Sequence, residues 1–137
     1  MQKEITITVY GRPASKKNSR VNLPDGRSFP SSSYRKFLNS AIEQFKSYRG
    51  PRFENKLVKI DYTFYQKGGY EQDFDNAITS INDMLQHEKI MIFNNDKQIK
   101  GGSFNVVPKA KEWKTVLKIY EISSSYYLIF SDATKDM

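Results

Sequence analysis

The residues in this chain best suited to chemistry are aspartates. Asp73 and Asp75 stand two positions apart in Tyr70-Glu71-Gln72-Asp73-Phe74-Asp75-Asn76, just before a stretch with helical spacing of apolar residues. In extended backbone, residues i and i+2 point to the same side about 6–7 Å apart, so both carboxylates can reach one hard cation. Phe74 would then point into the core. Asp75 or Asn76 can also cap the helix, which would hold that side chain near the positive end of the helix dipole. A carboxylate metal site needs more than two ligands. Asp96, in Asn95-Asp96-Lys97-Gln98, is the best remaining candidate, because short connections after the helix can return the chain to its starting edge. Asp83 competes, but on a continuous helix it lies about 12 Å beyond Asp75 along the axis, too far to share an ion with it. Asn76 and Asp83 are therefore assigned supporting or structural places.

Such a site supports phosphodiester hydrolysis. Mg²⁺ neutralises the non-bridging oxygens, activates a water and stabilises the leaving 3′-oxygen, with no histidine or cysteine required. Lys97, Lys100 or a loop lysine can hold the phosphate and steady the developing charge. Taken alone, an Asp-x-Asp pair before a helix more often gives a cap and a solvated acid. The third aspartate and the basic surroundings add weight to the metal reading and leave the cap-and-solvated-acid reading open beside it. His87 reads as a helix-end surface residue, and Trp113 as the cover of a hairpin rather than a base-stacking platform.

The composition narrows the classes. With 137 residues, 38% of them hydrophobic, the chain supports one core and one domain. It has no cysteine and a single histidine, which excludes disulfide frameworks, thiolate metal clusters and cysteine nucleophiles. Lys and Arg number 22 against 15 Asp and Glu, and the net charge of +7 suits a polyanion better than a small acidic metabolite. Apolar runs such as 126–130 fall far short of the roughly 20 residues of a membrane span, and Met1-Gln2-Lys3-Glu4 lacks a signal-peptide pattern. The expectation is a cytoplasmic protein with no membrane partner and no small-molecule cofactor.

The elements that must position the aspartates follow from periodicity. Ile5, Ile7 and Val9 alternate with polar residues and predict a first strand, ended by Gly11 and Pro13. Residues 12–30 show no period and read as a long basic loop. Tyr34, Phe37, Leu38, Ala41, Ile42, Phe45 and Tyr48 predict a helix from about Ser33, with Gly50-Pro51 as its stop. Its outward face carries Arg35, Lys36, Lys46 and Arg49. Val58, Ile60, Tyr62 and Phe64 predict a strand, and Ile78, Ile81 and Leu85 a helix over 75–86. Residues 103–107 and 114–122 read as two strands joined as a hairpin, 126–130 as an edge strand, and the last residues as a frayed tail. The expected fold is a single α/β or α+β domain, a mixed sheet of four to five strands packed with two main helices.

Over most of its length the chain resembles the RusA family of Holliday-junction resolvases. The resemblance rests on Asp73-Phe74-Asp75-Asn76 opening a helix, Asp83 farther along it, the turn Asn95-Asp96-Lys97-Gln98, and Pro13-Ala14-Ser15-Lys16-Lys17-Asn18-Ser19-Arg20 after the first strand. It covers about residues 5–122, so that 1–122 is the endonuclease-like domain and 123–137 an extension. It implies a homodimer that binds four-way or other branched DNA and makes paired symmetric nicks with Mg²⁺ or Mn²⁺. It also implies that Asp73, Asp75 and Asp96 are both catalytic residues and metal ligands, and that the role is in recombination or repair, commonly phage-borne. The residues assigned to DNA are Lys16, Lys17, Asn18, Arg20, Arg35, Lys97, Lys100 and Lys109. The chain departs from the family at Thr79, where a lysine is common, at Gln72, where a basic residue is common, and at Asn95, where the family has Asp. Lys97, Lys100 or Lys109 would then replace the helix lysine. Other readings are a flap- or fork-specific nuclease and a catalytically silent DNA-binding module.

Overall fold

The computed structural model describes residues 3–15, 20–26, 28–30, 32–69 and 72–123. The expected single domain, with a four-stranded mixed sheet and two helices, is what forms. Its organising element is strand β4, Val58–Lys67, in which every second side chain from Val58 to Gln66 is buried. Strict alternation of this kind gives one strand face to the core and one to solvent. Around β4 stand β1 (Glu4–Tyr10), β5 (Ile99–Ala110) and β6 (Lys114–Glu121), in the spatial order β1-β6-β4-β5. β6 runs antiparallel to both β1 and β4, whereas β5 runs parallel to β4.

That order corrects the hairpin expected for β5 and β6. The two strands lie on opposite sides of β4, and residues 111–113 carry the chain across the end of β4. The gap is two inter-strand spacings, about 10 Å, which three residues can span. Parallel pairing of β4 with β5 is possible because the helix between them supplies the crossover that a parallel pair needs. Trp113 accordingly covers no hairpin; the Arg12 guanidinium stacks 5.1 Å from its ring centre. The stretch 12–30 also differs from the expected irregular loop. It contains β2 (Arg20–Asn22) and β3 (Ser28–Pro30), antiparallel to each other and too short to leave a period in the sequence.

Helix α1, Ser32–Phe45, buries Phe37, Ala41 and Phe45. It stops one turn before Tyr48, whose amide bonds the Phe45 carbonyl at 3.0 Å. Helix α2, Phe74–Leu85, buries Ala77, Ser80, Ile81, Met84 and Leu85. Both contribute to one core with Val9, Ile60, Phe64, Leu117 and Ile119 of the sheet, completed by Phe53, Ile90, Ile92 and Phe93 from the connections. The edge strand expected at 126–130 lies outside the described residues, as do Lys16, Lys17 and Asn18. Among the described residues, no helix is long and apolar enough to cross a membrane.

Candidate metal and nucleic-acid site

The helix begins one residue earlier than its sequence pattern implies, and this changes the aspartate pair. Asp73 is the residue before the helix, with φ −62° and ψ 137°, and its side chain makes no capping bond. Asp75 already sits in the first turn. The two are therefore not successive same-side residues of an extended segment, since two positions along a helix turn a side chain by about 200°. Neither Asp75 nor Asn76 is the cap. Phe74, expected in the core, is 41% exposed and stacks on Phe104 with ring centres 4.4 Å apart and planes 6° from parallel. Starting the helix at Phe74 turns that ring toward the sheet edge instead of the interior.

Asp73 and Asn76 border a cleft of about 690 Å³, together with Arg12, Ser15, Lys36, Phe37 and Gln72. Gln72 ties this corner together. Its Nε2 donates to the Pro13 carbonyl at 2.7 Å, and its own carbonyl accepts from Gln66 Nε2 at 2.9 Å. Its Oε1 is buried and has no hydrogen-bond partner among the described residues. The position where a basic residue is common in the resembled family thus joins α2 to the segment after β1 and to the end of β4.

Asp96 stands at the other end of α2, in a turn held by amide side chains. Asn95 Oδ1 accepts from the Lys97 amide at 2.8 Å, at the start of the 3₁₀ turn Asp96–Gln98. Gln98 is 8% exposed and uses both ends of its amide. Its Oε1 accepts from the amides of Asn94 and Asn95 at 3.0 and 2.7 Å, and its Nε2 donates to the carbonyls of Glu54 and Lys56, each at 2.8 Å. The Asp96 amide in turn donates to Gln86 Oε1 at 3.1 Å, which sets it beside the helix C-terminus. Sequence reading assigned no role to Gln98 or Gln86. The signal for Gln98 was present, because Asn-x-x-Gln is the spacing of a capping box.

The Asp96 carboxylate is exposed, and its field reaches Tyr62. The Tyr62 hydroxyl is pushed up to about 12, first by burial; its hydrogen bond to Asn82 Oδ1 at 2.7 Å works the other way, and Asp96 adds to the rise. Asp83 belongs elsewhere. Its charge helps raise the Tyr34 hydroxyl of α1, after the larger effect of burial.

Three of the four acids thus divide between the two ends of one helix. Asp75, Asn82 and Gln86 fall on one side of α2, but Asp75 and Gln86 are about 16 Å apart along the axis. The chain leaving α2 does not return to its starting edge. Ile92 bonds back to Leu85, and Phe53 and Asn94 tie the return segment to the stretch before β4. Among the described residues, no three acidic or histidine side chains gather around a common point. One subunit therefore brings Asp73 and Asp75 to one end and leaves Asp96 at the other. Of the pair, Asp73 borders the cleft and Asp75 is not among its lining residues; Mg²⁺, which keeps several waters, is commonly held by as few as one or two carboxylates together with substrate phosphates.

Of the residues assigned to DNA, Arg35 is exposed on α1, and Lys97, Lys100 and Lys109 are exposed between the turn and the end of β5. Arg20 opens β2. Lys109 has φ 56°, a left-handed conformation at an irregularity of the β4–β5 ladder. His87 is the helix-end residue it was expected to be, its Nδ1 accepting from the Lys89 amide at 3.2 Å. No protein-family model matches the chain, and no curated protein matches it in sequence.

Proposed function

We propose that this protein is a metal-dependent endonuclease of branched DNA that works as a homodimer and resolves four-way junctions by paired nicks. The observation that carries the reading is the state of Asp73, Asp75 and Asp96. All three carboxylates are exposed, and none has an ion-pair partner among the described residues, in a chain with a net charge of +7. Acids left without a cation, in a protein with cations to spare, are suited to an ion from solution. Asp73 and Asp75 would hold Mg²⁺ or Mn²⁺, and Arg12 and Lys36 along the cleft would hold the phosphate backbone. The bound ion would supply charge neutralisation of the phosphodiester and an activated water. The motifs shared with the RusA family support the same reading and give it the four-way junction as substrate and a recombination or repair role.

The separation of Asp96 from the pair favours one other reading, a junction-binding module that does not cut. Labelled synthetic four-way junction, with linear duplex and flap controls, distinguishes the two. Paired nicks on the junction are expected in Mg²⁺, and are lost in EDTA and in Asp75→Asn while binding persists. Salt-sensitive junction binding without cutting in either Mg²⁺ or Mn²⁺ would leave the binding module.

A further inference from the structure

Trp113 is the only tryptophan of the chain, and it stands half-buried between β5 and β6, in the residues that cross the end of β4. Its main chain is fixed. The Trp113 carbonyl accepts from the Gly11 amide at 3.0 Å, one residue beyond the Tyr10–Lys114 pair that ends the β1–β6 ladder. Gly11, at φ +115°, then turns the chain out of the strand, and Arg12 follows with its guanidinium 5.1 Å from the Trp113 ring centre. Arg12 borders the cleft, as do Lys36 and Asp73. Among the described residues no ion pair joins either cation to Asp73, and the Arg12 side chain donates no hydrogen bond. Arg52 offers the comparison. It lies at the same 5.1 Å over Tyr48, but its Nε donates to the Ile90 carbonyl at 3.3 Å, so that contact ties the chain to itself. The contact of Arg12 with Trp113 leaves the donors and the charge of the guanidinium unspent. A carboxylate partner would orient an arginine and also neutralise it. An aromatic face orients it and leaves its N–H edge for a ligand.

We propose that Trp113 is a positioning residue for the substrate: its ring holds the Arg12 guanidinium so that two N–H groups fork the non-bridging oxygens of a phosphodiester in the cleft. The inference rests on the reading of the cleft as the path of the DNA backbone, and adds how that backbone is gripped. A guanidinium fork matches two phosphate oxygens, whereas the Lys36 ammonium acts as a point charge. Holding the fork in place beforehand reduces the freedom lost on binding, a gain that a freely moving arginine does not give. Trp113 does not itself border the cleft, so its effect passes through Arg12. A phosphate held there shares the cleft with Asp73, the combination of carboxylate and substrate phosphate by which Mg²⁺ is commonly bound.

The test uses the full-length protein and a synthetic four-way junction in EDTA, where binding is read without cutting. The slope of log affinity against log salt counts phosphate contacts. Arg12→Ala is expected to reduce the size of that slope by about 1. Trp113→Leu should reduce it as far, although it removes no charge, and Trp113→Phe should restore it toward wild type. The double variant Arg12→Ala/Trp113→Leu should bind no worse than Arg12→Ala alone. A role for Trp113 in packing alone would move the urea midpoint and leave the slope. With one tryptophan in the chain, emission from the free protein gives an independent reading, and Arg12→Ala should open Trp113 to acrylamide quenching. The proposal is overturned by a folded Trp113→Leu with the wild-type slope, by additive losses in the double variant, or by equal quenching in wild type and Arg12→Ala. A wild type that binds no junction overturns this inference and the functional reading together. These slopes in a protein that makes no cut in Mg²⁺ would remove the nuclease and leave the inference standing.

Discussion

The two ends of α2 differ in how far their polar residues are tied to the fold. At the C-terminal end, Gln98, Gln86 and Asn82 spend their amide groups on the protein itself, tying the 94–98 turn, the stretch before β4 and Tyr62 to the helix. At the N-terminal end, Asp73 caps nothing with its side chain, and Asp75 stands exposed in the first turn. Internal hydrogen bonds fix geometry; carboxylates without internal partners are left for something outside the fold. The segments at the two ends of α2 therefore differ in kind, one building a turn and the other leaving its carboxylates without internal partners.

The largest expected effect is at the built end. Gln98→Ala removes four hydrogen bonds to main-chain groups, two of them to carbonyls of the buttressing segment at Glu54 and Lys56. Buried groups left without partners cost about 1–3 kcal/mol each, and water can satisfy some of these, so a loss of roughly 3–5 kcal/mol is expected in urea unfolding. A loss under about 1 kcal/mol would mean that the turn stands without its clip, and the contrast between the ends would fail.

Next comes the alkaline limb of stability. The Tyr62 hydroxyl has its pKa raised from 10.0 to about 12 in the fold, so folding favours its neutral form. Its contribution is complete below pH 10 and is lost as pH rises from 10 towards 12, at about 1.4 kcal/mol per pH unit. Tyr62→Phe should flatten that part of the stability profile relative to wild type and cost about 1 kcal/mol at neutral pH for the lost bond to Asn82. Asp96→Asn should lower the Tyr62 midpoint, and Asp75→Asn should leave it in place. Equal shifts from the two substitutions, followed by phenolate absorbance, would show that the two ends share one electrostatic environment.

The contrast also marks what a sequence can carry. β4 and both helices were legible because each buries a continuous face, and burial writes a period of two or of 3.6 into the chain. β5 was legible only over 103–107, since Gly101-Gly102 breaks the pattern. Gly102 is required there by close approach, because a side chain would collide with the Ile60 carbonyl. The partners of β5 and β6 were not legible, as pairing depends on where α2 delivers the chain and not on either strand alone. The aspartates were found by type and spacing, but their directions depended on a helix start displaced by one residue. That displacement sends Asp73 to the cleft, puts Phe74 on the surface, and separates both from Asp96.

The smallest effect on stability should come with the largest effect on activity. Asp73 makes no side-chain capping bond, so Asp73→Ala removes no observed hydrogen bond from its carboxylate. An exposed substitution of this kind changes unfolding free energy by about 0.5 kcal/mol or less, whereas a working cap would cost about 1 kcal/mol or more. If the carboxylate is held for an external cation, the same substitution should abolish metal-dependent cleavage of a four-way junction while leaving the urea midpoint and junction binding near wild type. Asp73→Asn, which keeps the size and removes the charge, should behave alike. A clear stability loss in Asp73→Ala with cleavage intact would turn the contrast around. It would make the N-terminal aspartate part of the architecture and leave Asp96, at the clipped end, as the acid with no task inside the fold.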